Sequence, residues 1–509
     1  MRFDMKTKNI GIFLIIFVIP GIVTYFTVNN IYFIWLNYLL WLGISLGIFT
    51  FLVFYRNFKN SKDYRIHNSE VSVLRNVMGC VTSFNETPEM VKRTLITVKS
   101  ALNNYGDLYL LDDSTDYSIS MSLKKFCLNN NIYYIHRVNR KGYKSGAINS
   151  ALFTYGHKYD LISIFDSDQR PVPDFFLRTF QYFNDPNVAF VQVPQSYTEI
   201  KTLISQGAAA QQIPFLHVVM RGRNKVSAFS LGSGTIYRID ALLEVGGLKD
   251  DTVTEDIATS VMLHDKGYES VYADFYGIWY GEPPQDALAY VKQQGRWSLG
   301  GFQLLPTLMK SNLKFGQFND YLSGYLYWLK SGPVMLMMLI APIIFLLFRI
   351  AFLSVNLYMY IIIYYPILLI TVITFVYTMR NTDKYSIKSF YMHQCVEILA
   401  FPYIFISFIN AVSGKKKSFN VTPKGEGRSH ANIAIPQIVI LLLEMLAILA
   451  GLLWYYSINN HLLKIAIILN IVWSAYFSIF LAGSIFMAAK SNSGKSVNLI
   501  EHDSFYPAK

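Results

Sequence analysis

Charge is what this chain has least of. Only 15% of its 509 residues are Asp, Glu, Lys or Arg, against about 25% in soluble domains. Hydrophobic residues make up 52%, and the mean hydropathy is +0.29. That excludes an ordinary soluble globule and indicates an integral membrane protein with a large polar insert. Cysteine is scarce too: Cys80, Cys127 and Cys395 build neither a disulfide framework nor a C-x-x-C metal knuckle. A reducing compartment suits the polar part. Internal repeats and long low-complexity tracts are lacking. The formal net charge is +12, yet no basic helix or RNA-binding signature is present, so nucleic acid is not an expected partner. In a membrane protein such an excess marks cytoplasmic flanks.

Long apolar runs occur near 10–29, 32–54, 322–348, 352–378, 432–456 and 461–488, each of a length that crosses a bilayer. The first follows Arg2, Lys6 and Lys8, as a signal peptide would. It lacks a small-residue cleavage site and another span follows at once, so an uncleaved helix is expected. A mixed segment at 385–412, holding His393 and Glu397, reads as an amphipathic interfacial helix, with a seventh crossing as the alternative. Cations cluster at Arg2, Lys6 and Lys8, at Arg56 and Lys59, at Arg380 and Lys384, at Lys415, Lys416 and Lys417, and at Lys490 and Lys495. The positive-inside rule then puts the polar insert and both termini in the cytoplasm of a multi-pass cell-membrane protein. The expected order is a tail and two spans at 1–54, the α/β domain at 55–285 and interfacial helices at 286–320. Two spans at 321–378, an amphipathic helix and loop at 379–431, two spans at 432–488 and a tail at 489–509 complete it.

Between Arg56 and about Gly281, strand-like runs alternate with helical patterns: Val77–Val81, Leu108–Leu111, Leu161–Phe165 and Val188–Val193. Such alternation predicts βαβ units and a mostly parallel, Rossmann-like sheet. Candidate chemistry stands at the ends of these runs, where open α/β sheets bind ligands. Asp166-Ser167-Asp168 ends one of them. On a strand, side chains two apart share a face, and two hard oxygen donors there suit Mg²⁺ or Mn²⁺ held through a diphosphate. Asp112-Asp113 follows another run and reads as a turn or as an acceptor for a nucleotide base or ribose. Thr82-Ser83-Phe84-Asn85-Glu86 opens a helix with Glu86 in its first turn, either as a cap or as a nucleotide contact. Lys141 to Asn149 sets glycines and Lys144 ahead of a helix, as a solvated basic loop or a phosphate cradle. Thr254-Glu255-Asp256 opens another helix. Capping favours carboxylates there, while the chemical reading makes Asp256 a general base that takes a proton from an acceptor hydroxyl. Gln293, Arg296 and Trp297, at i, i+3 and i+4, share one helix face. Arg suits a diphosphate and indole a sugar ring; a snorkelling Arg beside an interfacial Trp is the plainer alternative.

Assembled, these residues resemble a membrane-integrated, processive family 2 glycosyltransferase, the group that includes cellulose, chitin, hyaluronan and poly-N-acetylglucosamine synthases. Its D, D, D, Q-x-x-R-W signature is matched at Asp113, at Asp166 and Asp168, at Asp256, and at Gln293, Arg296 and Trp297. Phe419-Asn420-Val421-Thr422-Pro423-Lys424 resembles the F-x-V-T-x-K gating loop of cellulose synthases. The resemblance implies a GT-A α/β domain inserted in an α-helical bundle of about six spans. It implies Ser83, Glu86, Asp113 and Lys144 in the nucleotide pocket, and Asp166, Gln293, Arg296, Thr422 and Lys424 toward the diphosphate. Asp166 and Asp168 would handle Mg²⁺ or Mn²⁺, and Asp256 would be the base. Trp297 would stack the terminal acceptor sugar, with Glu255, Gly232 and Ser233 beside it.

The implied reaction is inverting transfer from a nucleotide sugar, foremost UDP-glucose, onto a growing β-linked glycan that passes through the bilayer. Accessory export subunits are compatible with it. Trp297, Tyr325 and Trp328 are candidates to line the passage. The alternative is a non-processive membrane transferase that adds one sugar to a lipid or a short glycan. Departures from the pattern bear on the sugar. Phe229-Ser230-Leu231-Gly232-Ser233-Gly234 stands where cellulose synthases show F-F-C-G-[ST], and Gln169 follows Asp168 in place of His. Gln192-Val193-Pro194-Gln195 resembles the Q-T-P segment with Val in place of Thr. About twenty residues follow the last span, so a carboxy-terminal cyclic-dinucleotide-binding domain is not expected.

Overall fold

The computed structural model describes residues 5–65, 75–198, 200–281, 283–351, 357–380, 385–414 and 431–490. The F-x-V-T-x-K match, with Thr422 and Lys424, lies outside the described residues, as does the tail from 491.

Among the described residues nine strands form: β1 (Val77–Ser83), β2 (Gly106–Asp112), β3 (Tyr133–His136), β4 (Leu161–Asp166), β5 (Arg170–Pro171), β6 (Val188–Gln192), β7 (Thr235–Arg238), β8 (Glu269–Tyr272) and β9 (Ile278–Tyr280). Seven of them make one sheet in the order β3-β2-β1-β4-β7-β6-β8. Only β7 runs against its neighbours β4 and β6; the other pairings are parallel. The mostly parallel α/β architecture is as expected. On one face Val77, Val81, Leu108, Leu110, Leu161 and Phe165 pack with Val91, Leu95 and Val98 of the helix Pro88–Leu102. On the other, Met78, Cys80, Leu111, Ile162 and Ile164 pack with Ala147, Ile148 and Ala151 of the helix Tyr143–Tyr155. Successive side chains alternate between two buried faces, which is why these strands read as unbroken apolar runs.

Among the described residues six helices are long and apolar enough to cross a membrane, by length and composition: Asn9–Thr27, Ile31–Lys62, Phe315–Phe348, Ile387–Val412, Ala431–Ser457 and His461–Ala489. The segment read from sequence as interfacial is one of them. Its two polar landmarks are engaged inside the protein: Ser331 Oγ donates to Glu397 Oε1 at 2.8 Å, and the Tyr385 hydroxyl pairs with His393 Nδ1 at 3.0 Å. The segment expected near 352–378 forms a helix over Leu357–Arg380. The span expected from 322 belongs to a helix that starts at Phe315 and changes to a π-turn at Lys330–Val334, where Pro333 contributes no N–H. Prolines inside helices free carbonyl oxygens four residues back, and neighbouring helices supply donors. Pro20 frees the Ile16 oxygen, which accepts from Ser45 Oγ at 3.1 Å. Pro402 frees the Ile398 oxygen, which accepts from Gln437 Nε2 at 3.0 Å.

Helices and sheet meet at Asp320, whose side chain is buried. Asn57 Nδ2 donates to its Oδ1 at 3.1 Å and Ser227 Oγ to its Oδ2 at 2.5 Å. The Arg56 guanidinium pairs with the same carboxylate, and Arg223 Nη2 donates to the Asp320 carbonyl at 2.7 Å. Arg56 and Asn57 come from the second helix, Arg223 and Ser227 from the segment before β7. In Asp320→Ala the buried Arg223 guanidinium loses its counter-charge. Removing one partner of a buried pair costs about 3–5 kcal/mol. The detergent-solubilised protein should therefore show a clearly lower unfolding midpoint, with Asp320→Asn in between.

Candidate active site

The carboxylates of the site stand where a parallel strand ends and where one helix begins. Asp166 is the last residue of β4; its N–H donates to Ser233 Oγ at 2.9 Å. Lys144, in the first turn of the helix Tyr143–Tyr155, reaches across: its Nζ donates to Asp166 Oδ1 at 2.5 Å and to the Gly232 carbonyl at 2.7 Å. Gly232 has φ +80°, and a Cβ there would stand 3.0 Å from Asp256 Oδ2. A glycine is thus required both by the left-handed backbone and by the approach of the carboxylate. Lys144, Gly232, Glu255 and Asp256 line one recess with Ile164 and Tyr237.

One ammonium therefore faces three carboxylates. Burial works to lower the Lys144 pKa, but Asp166, Glu255 and Asp256 outweigh it and raise it. Burial, then the like charge of Glu255, pushes Asp256 up to about 7, while the Ile257 N–H, Lys144 and Arg296 pull the other way. Glu255 is raised as well, mainly by burial. The sites interact, so these protons belong to the pair. The helix Glu255–Asp265 that carries the pair is fixed at its far end. Ser270 Oγ donates to the Ala228 carbonyl at 2.5 Å, so it accepts from His264 Nε2–H at 2.9 Å. The Tyr321 hydroxyl then donates to His264 Nδ1 at 2.8 Å. Burial holds His264 well below the usual imidazole range, so it stays neutral in this role.

The helix Ala287–Gln303, capped by Asp286 through the Ala289 N–H, runs beside the pair. Arg296 acts electrostatically on both Glu255 and Asp256, and Gln293 contacts the Tyr197 hydroxyl, which senses Asp168. Trp297 is half-buried on the same face. Gly300 and Gly301 allow close approach: a Cβ on the first would overlap the Thr254 side chain, and on the second the Trp328 indole. Tyr325 meets Phe302 edge-on, with ring centroids 5.7 Å apart.

The nucleotide-pocket candidates gather at β1 and β2. The Asp113 N–H donates to the Ser83 carbonyl at 2.9 Å, and the Ser83 hydroxyl is buried without a partner. Arg137, which the sequence did not single out, grips Asp113 with two bonds, at 3.0 and 2.5 Å, and donates to the Tyr143 carbonyl at 2.9 Å. It sits just past the short strand β3, where no apolar run signalled an element. Gln192 braces the loop below: its Nε2 donates to the Val193 and Ser233 carbonyls at 2.7 and 2.9 Å, and its Oε1 accepts from the Leu231 N–H at 2.7 Å.

Three expectations change. Glu86 does not open a helix: the helix starts at Pro88, whose fixed φ suits the first helical position, and Glu86 stays in the loop before it. Asp168 does not share a strand face with Asp166, because β4 ends at Asp166 and Asp168 lies in the turn closed by the Gln169 N–H on the Asp166 carbonyl. Ser233 is fully buried under Asp166, so it supports that backbone and does not face an acceptor sugar. For a metal, Asp166 and Asp168 offer hard oxygen donors of the kind Mg²⁺ and Mn²⁺ take. Among the described residues no three His, Cys, Asp or Glu side chains form a cage. An ion here would complete its shell from substrate oxygens and water, which fits a diphosphate-bridged site.

Residues 161–377 match the model for glycosyl transferase family group 2. The chain carries a family 2 glycosyltransferase domain. It is 25% identical over 439 residues to a cellulose synthase catalytic subunit (UDP-forming) of Pseudomonas fluorescens, covering 82% of this chain and 57% of that protein. It is 32% identical over 205 residues to a probable glucomannan 4-β-mannosyltransferase of Oryza sativa subsp. japonica, covering 38% of this chain and 37% of the relative. The match thus spans under two thirds of these relatives. A mannosyltransferase from Pyrobaculum calidifontis, solved with GDP-Man and Mn²⁺, superposes with TM-score 0.51 at 13% identity over 74% of this chain and 99% of its own. That likeness speaks for the fold alone. Within the family 2 domain, Asp166, Asp168, Asp256 and the Gln293–Trp297 motif fall inside the matched residues, whereas Ser83, Glu86, Asp113 and Lys144 precede them.

The Gly300 contact is testable. Gly300→Ala pushes Thr254, and with it the helix start carrying Glu255 and Asp256, off the Ala287–Gln303 helix. A shift of about 1 Å can cost on the order of 100-fold in rate. Sugar transfer should fall accordingly in the single variant and recover in Gly300→Ala combined with Thr254→Gly; failure to recover would refute the contact.

Proposed function

We propose that the protein is an inverting glycosyltransferase that extends a β-linked glycan from a nucleotide sugar on the cytoplasmic side and feeds it into its helical bundle. The observation that carries this reading is the convergence of Asp166, Lys144, Gly232, Glu255, Asp256 and Arg296 on one cleft beside the Gln293–Trp297 helix face. Asp256 takes the proton of the acceptor hydroxyl. Its raised pKa makes it a stronger base than an exposed aspartate, while Lys144 and Arg296 keep a useful fraction ionised near neutrality. Ser83, Glu86 and Asp113 hold the nucleoside; Arg296, Gln293 and Lys144 face the diphosphate, joined by Thr422 and Lys424 from the loop outside the described residues. Asp166 and Asp168 would hold Mg²⁺ or Mn²⁺, whose charge offsets that of the departing diphosphate. Trp297 offers the face on which the terminal sugar stacks.

A line of polar and aromatic side chains joins this helix to the bundle, and side chains of this kind suit the lining of a glycan passage, which favours elongation over single transfer. The Tyr290 hydroxyl donates to Gln211 Oε1 at 2.9 Å, Gln211 Nε2 donates to the Tyr327 hydroxyl at 3.2 Å, and Trp328 stands edge-on to Tyr327 at 5.0 Å. Ser331 and Glu397 continue it. The helix Ile387–Val412, bonded through Ser407 Oγ to the Gly295 carbonyl at 2.8 Å, fits an interfacial position under the domain. Similarity to the cellulose synthase subunit supports UDP-glucose and a β-glucan. The higher identity to glucomannan mannosyltransferases over a shorter stretch favours a second reading, mannosyl transfer.

Purified protein offered a panel of UDP- and GDP-sugars with Mg²⁺ or Mn²⁺ should make a ladder of long chains from one of them, identified by linkage-specific hydrolases. A single-sugar adduct would mean the non-processive alternative. Asp256→Asn should abolish polymer while nucleotide still binds in a calorimetric titration; elongation at the wild-type rate would remove Asp256 as base. Because the ionised form of Asp256 is the active one, kcat/KM should rise from the acid side through about pH 7. Glu255→Gln removes the neighbouring like charge and should move that limb to lower pH.

A further inference from the structure

Phe84 follows β1, and the guanidinium of Arg140 lies over its ring, with Cζ 3.5 Å from the centroid; the Tyr143 ring stands farther off, at 5.7 Å. The shorter approach is van der Waals contact between a flat cation and a flat ring. Arg140 belongs to the connection between β3 and the helix Tyr143–Tyr155 and is half-buried. Among the described residues it has no ion-pair partner, and its Nε is buried without a hydrogen bond. Arg137, three residues earlier, is the opposite case: its guanidinium is committed to Asp113 and to the Lys141 and Tyr143 carbonyls. The Ser83 hydroxyl, next to Phe84 in the chain, is likewise buried without a partner. The loop carrying Phe84 is tied toward β2, since the Asn85 N–H donates to Ser114 Oγ at 2.8 Å and Asn85 Oδ1 accepts from the Thr115 N–H at 2.9 Å. Two orphaned polar atoms and one unpaired cation thus gather on the β2 side of β1. The carboxylates Asp166 and Asp168 stand on its β4 side.

We propose that Arg140, backed by Phe84, is a nucleobase platform: the base of a nucleoside diphosphate stacks on the guanidinium face turned away from the ring, and the Ser83 hydroxyl bonds the nucleoside. The proposal rests on the reading of this cleft as a nucleotide-sugar site and adds a residue that the signature motifs do not include. Position decides base over phosphate, because the groups suited to a metal-bound diphosphate lie across β1. A guanidinium already held flat by Phe84 loses little rotamer freedom when a base lands on it. Stacking of this kind tolerates any base, so Arg140 contributes affinity for the nucleoside, while Asp113 and its Arg137 partner are left to read the base edge.

The test uses calorimetric titration of the full-length protein with UDP, GDP and inorganic pyrophosphate, each with Mg²⁺. Arg140→Ala should weaken whichever nucleoside diphosphate the wild type binds by about tenfold or more, with pyrophosphate affinity and the unfolding midpoint unchanged. Phe84→Leu should weaken it in the same direction by less, and Arg140→Lys, which keeps charge but not the plane, should resemble Arg140→Ala. Equal nucleotide affinity in Arg140→Ala and wild type overturns the platform. An equal loss for pyrophosphate overturns it too, by making Arg140 a phosphate ligand. Wild-type protein that binds neither UDP nor GDP removes the nucleotide-sugar reading itself.

Discussion

One carboxylate withdrawn from water, Asp320, keeps the membrane helices and the α/β domain in register. A buried charge is tolerated only when its hydrogen bonds are filled, and here the filling groups come from two parts of the chain far from Asp320 in sequence: Arg56 and Asn57, and Arg223 and Ser227. Any sliding of one part against the others would strand charge. The next residue, Tyr321, passes that register on through His264 to the helix whose first turn holds Glu255 and Asp256. The position of the candidate base is thus referred to a membrane helix as well as to the sheet.

At the other end of that helix the governing term is electrostatic. Three carboxylates share Lys144 under partial burial, and the surplus negative charge raises Asp256 while it holds the proton on Lys144. Such a surplus suits a divalent cation with a diphosphate better than a bare anion. The glycines at 232, 300 and 301 set how closely the parts approach. Where Gly232 admits the Asp256 carboxylate, Gly300 admits Thr254 and Gly301 the Trp328 indole, so the helix Ala287–Gln303 contacts the start of the helix carrying Asp256 on one side and the helix carrying Trp328 on the other.

Much of this was legible in residue order. The strands β1, β2, β4 and β6 announced themselves because both sheet faces are buried, which leaves no polar alternation to confuse the pattern. The acidic motifs stood out because they follow those strands. Other features were not legible. Strand β3 has exposed ends and no apolar run, so nothing in the sequence singled out Arg137 and Arg140 beyond it. In the segment 385–412 the partners of Glu397 and His393, which are Ser331 and Tyr385, were not legible either, because sequence cannot say which polar side chains will meet. Asp168 read as sharing a face with Asp166 because the end of β4 depends on a turn hydrogen bond that leaves no mark in composition.

The amino-acid sequence by itself determined the class of molecule: low charge and long apolar runs demand a bilayer, alternating runs demand a doubly covered sheet, and the spacing of Asp and Q-x-x-R-W motifs restricts the chemistry. These are properties of local composition and period, which act on neighbours in the chain. Which carboxylate shares which cation, which arginine is spent on Asp113 and which is left over Phe84, and which carbonyl freed by a proline finds a donor were decided only by tertiary structure. Those outcomes depend on distances of a few ångströms between residues dozens to hundreds of positions apart, and electrostatic and hydrogen-bond energies change steeply over that range.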